Sequence, residues 1–210
     1  MVGTAGAATS PAALREAILR AVSAEHSVRY VTVSSSSGVR LTMVCDVDTG
    51  RGIQRVTLTK SGSTGHVTTL VLGSNAYIRG DAFGLRTYMR FPASIASRYA
   101  GRWISVPPSS PLHAPVAVDA TYGSFISHAL PEGNLSLVSG TVGGRRVVGL
   151  RGKAPEGGTL ILYVRASGSR LPLEGKEVAR SATGLVTMSR WNESVRLPKP
   201  AHAILITSLH

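Results

Sequence analysis

The sequence predicts an α+β domain, a strongly curved antiparallel sheet with several helices lying on its concave side. Three observations predict it. Runs rich in Thr, Val, Ile and Leu alternate with short Gly, Ser and Asn clusters, which is the pattern of antiparallel hairpins. Helical periodicity is confined to the start and the middle of the chain, so no helix separates successive strands as a parallel sheet would require. The helices that do occur carry one apolar stripe each and must bury it on the sheet. A long antiparallel sheet twists and curls, and helices lying in its hollow leave room for a cavity.

Met1 to Thr9 is a small-residue leader, and residues 10–210 are expected to form one domain. Ser10-Pro11 opens a helix, with a hydroxyl at the N-cap and proline in the first turn. Leu14, Ala17, Ile18 and Ala21 share one face of it, and it runs to about Ala24. Val28 to Val33 is the first strand, turning through Ser34 to Gly38. In the next run, Val39, Leu41, Met43, Cys45 and Val47 fall on one face, and Arg40, Thr42, Asp46 and Asp48 on the other. That alternation marks a half-buried strand whose register a one-residue slip would invert.

Ile53–Lys60 and His66–Leu72 form a hairpin, and Ala76–Gly80 follows the turn at Gly73–Asn75. After Asp81, Leu85, Tyr88 and Met89 have helical spacing, as do Ile95 and Tyr99. Pro92 divides the passage into two short helices, the second closed by Gly101 as its C′ residue. Pro107 to Pro111 is an extended connector, and Val118, Tyr122, Phe125, Ile126 and Ala129 define an amphipathic helix ended by Leu130-Pro131. Strands return at Leu135–Val142, Arg145–Arg151, Thr159–Arg165 and Leu185–Trp191, the first two joined by the turn pair Gly143-Gly144. Asn192–Leu197 and Ala203–Ile206 are candidates for short final strands.

At 210 residues, with 43% apolar and 16% charged residues, the chain has enough hydrophobic side chains for a buried core. A net charge of +12 favours anionic partners such as phospholipid head groups, acidic glycans or nucleic acid. Arginines are scattered and aromatics make up 5%, which argues against nucleic acid. The lone Cys45 excludes an internal disulfide and reads as a buried thiol. No apolar run reaches the ~18 residues of a membrane span, and no charged segment leads into an apolar run at the start.

Catalytic and metal signatures fail on inspection. Asp48-Thr49-Gly50 resembles the motif of an aspartic protease but occurs once and reads as a surface turn. Asp46 and Asp48 hint at a calcium loop that no later acidic residue completes. Gly50-Arg51-Gly52 lacks the third glycine of a dinucleotide loop, and the six histidines show no metal-ligand spacing. Ser124 and His128 are neighbours at i, i+4 on a predicted helix, without a carboxylate or an oxyanion hole in the local sequence. No catalytic residue, metal or cofactor is expected.

The run Gly73-Ser-Asn-Ala-Tyr-Ile-Arg-Gly-Asp81, with Tyr99-Ala-Gly-Arg-Trp-Ile-Ser-Val-Pro107, resembles the actinobacterial cell-envelope lipoproteins of the LppX/LprAFG type. So do Gly158–Val164 and Thr187–Glu193, and the resemblance covers about Ala12 to Ile206. It implies a half-barrel related to the LolA/LolB carriers, with an acylated lipid or glycolipid held in an apolar cavity and no catalytic residues. The signal peptide and acylated cysteine of that family are not in this sequence. The expected location is extracytoplasmic, in the cell envelope, as a monomer.

Leu41, Met43, Leu70, Leu72, Ile95, Tyr99, Tyr122, Phe125 and Ile126 are expected to share a core that opens partly into the cavity. Arg79, Arg86, Arg90, Arg98 and Arg102 flank the helical passage and are the candidates for contact with a lipid head group or an anionic membrane surface. The competing expectations are a non-catalytic envelope module with a collapsed cavity and, more remotely, a basic nucleic-acid or glycan binder.

Overall fold

The computed structural model describes residues 10–155, 157–180 and 182–209; the predicted leader lies outside them. Helix α1 (Pro11–Ser23) begins as its sequence dictates, with the Ser10 hydroxyl accepting the Ala13 N–H at 3.1 Å. Its buried face is Leu14, Ile18 and Val22, so Val22 rather than Ala21 carries the stripe into the last turn.

Five strands follow, β1 (Ser27–Ser36), β2 (Val39–Asp48), β3 (Arg51–Lys60), β4 (Ser63–Leu72) and β5 (Asn75–Gly80), each paired with the next in an antiparallel meander. The middle of the chain supplies α2 (Ala82–Thr87), α3 (Ala93–Arg98), β6 (Ile104–Val106), α4 (His113–Ala117) and α5 (Tyr122–His128). The last third adds β7 (Glu132–Val142), β8 (Arg145–Lys153), β9 (Thr159–Arg165), β10 (Pro172–Val178), β11 (Ala182–Ser189) and β12 (Ile204–Leu205). All join one curved, unclosed sheet in the order β12-β6-β5-β4-β3-β2-β1-β11-β10-β9-β8-β7.

Two consequences follow from that order. The first and last thirds of the chain meet at β1 and β11, which pair from Arg29↔Ser189 to Ser36↔Ala182. The sheet is also not wholly antiparallel, because β12 pairs with β6 in parallel. The chain from Asn192 to Ala203 returns from β11 to that far edge without forming the strand expected at Asn192–Leu197.

The helical passages differ from their expected bounds in instructive ways. Pro92 does divide α2 from α3, as the N-cap of the second helix. Gly101 takes a left-handed φ of +75° two residues beyond the C-cap Tyr99, and its N–H reaches Gly80 O at 2.8 Å. The predicted helix from Val118 to Ala129 starts only at Tyr122. Val118 instead caps α4 and is 47% exposed, because Asp119 (φ +55°) breaks the chain direction there.

Glycine sets how closely α2 lies on the sheet. A Cβ at Gly84 would stand 2.5 Å from His66 O, and one at Gly65 2.7 Å from Gly84 N. Side chains there would force helix and strand apart. Asp81 locks the same junction: Oδ1 accepts Gly84 N–H at 2.6 Å and Oδ2 accepts His66 N–H at 2.7 Å.

Candidate functional site

All the helices meet the sheet through its inner face, and the register identifies which side chains point there. Tyr30, Cys45, Gln54, Thr69 and Ile78 lie side by side across β1 to β5 on that face. Their neighbours Arg29, Asp46, Ile53, Leu70 and Tyr77 form the matching row on the outer face, where Arg29 pairs with Asp46 at 3.1 Å.

The inner row carries a buried polar ladder. Thr69 Oγ1 donates to Gln54 Oε1 at 2.9 Å, and Gln54 Nε2 donates to Val118 O at 3.0 Å. Tyr30 Oη donates to Asp119 O at 2.6 Å. Three strands thus hold the loop between α4 and α5, and every buried side-chain polar atom among the described residues has a partner. Beside the ladder, burial pushes the Cys45 thiol up to about 12 and the Tyr30 phenol well above its ordinary value. Cys45 is an inert core thiol.

Apolar side chains gather on either side of this ladder in two clusters. One, under β3 to β6, includes Val56, Leu58, Val67, Val71, Ile78, Leu85 and Tyr99, with Leu41, Met43 and Ile95 packed on it. The other, under β1, β2 and β8 to β11, includes Leu14, Ile18, Tyr30, Tyr122, Phe125, Leu150 and Leu162, with Ile126 and Met43 packed on it. Met43 belongs to both. Seven of the nine residues expected to share a core therefore divide between two clusters that meet at one side chain.

Leu70 and Leu72 do not join them. In β4 the inner positions are Val67, Thr69 and Val71, so Leu70 and Leu72 point to the outer face. Leu70 is nonetheless buried there, in register with Ile53 and Tyr77.

Between the clusters, toward the turns at Ser37–Gly38 and Arg180, the inner face changes character. Thr32, Ser34, Leu41, Met43 and Val186 are half-buried although they belong to the central strands of a wide sheet. Gly175 and Gly184 face the same strip, and a Cβ at either would meet nothing closer than 3.7 Å. Small residues on the sheet and the division of the helices leave a seam of partly exposed apolar surface.

The five arginines expected near a head group are all exposed. Arg86 lies on α2 with its guanidinium 5.7 Å from the Phe83 ring centre, and Arg90 follows with a φ of +58°. Arg98 ends α3 and Arg102 follows it. Arg79 stands apart: it is in register with Thr68 and Arg55 on the outer face, away from the helices.

Ser124 and His128 acquire a carboxylate neighbour that local sequence did not show. His128 Nδ1 lies 2.7 Å from Asp119 Oδ1, while Ser124 Oγ accepts the Asp119 N–H at 2.9 Å. The hydroxyl thus ties down the α4–α5 loop. The Asp48 turn is as expected, with Oδ1 accepting the N–H groups of Gly50 and Arg51 at 3.0 Å each. Among the described residues no three His, Cys, Asp or Glu side chains gather as a metal ion would require. No helix among them is long and apolar enough to cross a membrane.

An open, curved sheet carrying all its helices on one face defines the half-barrel fold implied by the resemblance noted above. Among solved structures, the chain is similar to LprF from Mycobacterium bovis, with a TM-score of 0.56 and 17% identity over 93% of this chain and 100% of that one. It is also similar to the Mycobacterium tuberculosis lipoprotein LppX, with a TM-score of 0.54 and 14% identity over 90% of this chain and 98% of that one. At such identities the likeness establishes the fold. No family model matches the sequence, and no curated protein matches it.

Proposed function

We propose that the chain is a non-catalytic, extracytoplasmic carrier of an acylated lipid or glycolipid, a relative of the LppX/LprAFG lipoproteins acting in the cell envelope as a monomer. The observation that carries this reading is the seam between the two clusters. Ordinary packing would close the inner face of central strands, yet Leu41, Met43 and Val186 stay half-buried above small residues. An acyl chain is a long apolar cylinder, and a strip of this kind is the surface it would cover. Ile95, Tyr99, Tyr122, Phe125 and Ile126 form the walls from which the seam widens when a chain enters. Arg86, Arg90, Arg98 and Arg102, on and beside α2 and α3, are the groups for an anionic head group.

The fold of LprF and LppX supports the reading as architecture. A second reading, an envelope interaction module with a closed interior, is favoured by the two well-packed clusters and is separated by experiment. Protein purified from a lipid-containing host is extracted into organic solvent and the extract analysed by mass spectrometry. Acylated species at near-equimolar amounts are the expected result. A lipid-free extract, together with no uptake of a fluorescent fatty acid, would leave the interaction module as the better account.

A further inference from the structure

A group of exposed arginines lies at the opposite end of the sheet from the exposed part of the seam. Arg145 and Arg146 follow the Gly143-Gly144 turn of the β7–β8 hairpin, both glycines having positive φ (+54° and +76°). Arg165 ends the adjacent strand β9, in register with Val147, and the next residue, Ala166, donates its N–H to Arg146 O at 3.2 Å. These contacts set the three guanidinium-bearing residues around one open depression of about 640 Å³, completed by Ala166 and Ser167. Arg170 approaches from the same loop, its Nη1 donating to Arg165 O. Arg145, Arg146 and Arg165 are exposed, and none forms an ion pair among the described residues.

We propose that this depression is a docking site for phosphodiester head groups of an anionic phospholipid surface. Guanidinium forks match phosphate oxygens in pairs, and a hydroxyl such as that of Ser167 adds a further donor. Arg145 and Arg165 share the outer face at this tip, since Arg165 is in register with Val147 two residues from Arg145, and an anion lying between them relieves their mutual repulsion. A chain with 23 Lys and Arg against 11 Asp and Glu is also drawn to a negative surface at long range. The tip suits a membrane better than a nucleic acid. Tyr163, two residues before Arg165, has the Lys176 ammonium 5.5 Å from its ring centre and packs beside Gly149, which covers the faces a base would stack on. Docking here does not require that the seam hold a lipid. It would place the exposed part of the seam away from the bilayer.

The test is co-sedimentation of the full chain with phosphatidylcholine vesicles, with and without phosphatidylglycerol. Wild-type protein should bind the anionic vesicles, and binding should weaken between about 0.1 M and 1 M salt, as the screening length falls from about 10 Å to about 3 Å. Arg145→Gln, Arg146→Gln and Arg165→Gln together should weaken it on the order of a hundredfold, since each surface arginine adds about a factor of five. Arg146→Gln alone should cost about that single factor, which keeps the test independent of how the triple variant folds. A control that removes the same charge from the other end, Arg40→Gln with Lys153→Gln and Arg180→Gln, should retain most of the binding. Equal losses in the two triple variants would reduce the effect to net charge and overturn the site. Displacement by inorganic phosphate but not by chloride of equal ionic strength would make it a site for a soluble phosphate ligand. Displacement by a short single-stranded oligonucleotide would make it a nucleic-acid site, and either result removes the membrane proposal.

Discussion

Tyr30 and Phe125 stack with ring centres 4.0 Å apart and planes 7° from parallel, joining the first strand of the sheet to helix α5. Tyr30 also donates to Asp119 O at 2.6 Å, so one side chain fixes both the helix and the loop before it. Phe125→Ala should cost about 3–5 kcal/mol in urea unfolding, because it removes a buried ring. Tyr30→Phe keeps the stack and should cost about 1–2 kcal/mol, the value of a lost hydrogen bond to a buried carbonyl. Similar costs for the two variants would show that the stack contributes little.

Alkaline pH should destabilise the fold before any surface residue explains it. Burial raises Cys45 from 9.0 to about 12, and burial, followed by the charge of Glu25, raises Tyr122 from 10.0 to about 12. Each is an acid whose proton the folded state holds longer than the unfolded chain does. Their contribution is therefore complete below about pH 9 and is lost as pH rises toward 12, by about 1.4 kcal/mol per pH unit for each group. Urea midpoints measured from pH 8 to 11 should fall, and Cys45→Ala should flatten the first part of the decline. Native Cys45 should also resist thiol reagents until the protein unfolds.

At the other end of the pH scale, Asp81 is the group to watch. Burial opposes its charge, but hydrogen bonds from Gly84 and His66 outweigh that and hold the carboxyl below its ordinary 3.8. The stabilisation is present above about pH 4 and is lost as pH falls through the folded value. Asp81→Ala should cost about 0.5–2 kcal/mol at neutral pH, in the range of a lost helix cap, and should make the acid transition shallower. Gly84→Ala should cost at least as much, about 1–3 kcal/mol, because its Cβ meets a strand carbonyl that cannot swing away. An unchanged acid midpoint in Asp81→Ala would remove the cap from the account of α2.

How far these features could be read from the chain depended on whether they are local. The hairpins are local, and strand β9 begins and ends where alternation and its flanking residues place it, at Thr159 and Arg165. Strand β10 was hidden because Pro172, Gly175 and three charged residues disfavour a strand in isolation, and only pairing with β9 and β11 makes it one. The face of β4 was ambiguous for a different reason. Leu70, Val71 and Leu72 form a continuous apolar run in which Leu70 and Val71 are buried on opposite sides of the sheet, so a period of two cannot choose between them. Asp119 reaches His128 only because a left-handed residue turns the chain back, which spacing does not reveal. The seam is harder still, because Leu41 and Met43 on β2 meet the small residues of β10 and β11 only through the pairing of β1 with β11, strands from opposite ends of the chain.

The Asp119–His128–Ser124 group should be catalytically silent. His128 has its carboxylate, but the Ser124 hydroxyl already accepts the Asp119 N–H, and the group sits on a short helix with no strand-to-helix elbow behind it. Hydrolysis of nitrophenyl esters should stay at background in the wild type and in Ser124→Ala and His128→Ala alike. Genuine turnover that either variant abolishes would establish an enzyme and displace the carrier reading.

The carrier reading makes its sharpest prediction at two leucines that face each other across a pair of strands. Leu41 on β2 is in register with Leu58 on β3, both on the inner face. Leu58 is 1% exposed within its cluster, whereas Leu41 is half-buried at the seam. A tryptophan at Leu58 has no space to enter and should cost about 1–3 kcal/mol by overpacking. A tryptophan at Leu41 can lie along the seam, so thermal stability should hardly move while uptake of a fluorescent fatty acid is abolished. The same pair of measurements on Val186→Trp should repeat the Leu41 result from the β11 side of the strip. If Leu41→Trp instead destabilises the fold as much as Leu58→Trp, the seam is solid core, and an acyl chain has no place there.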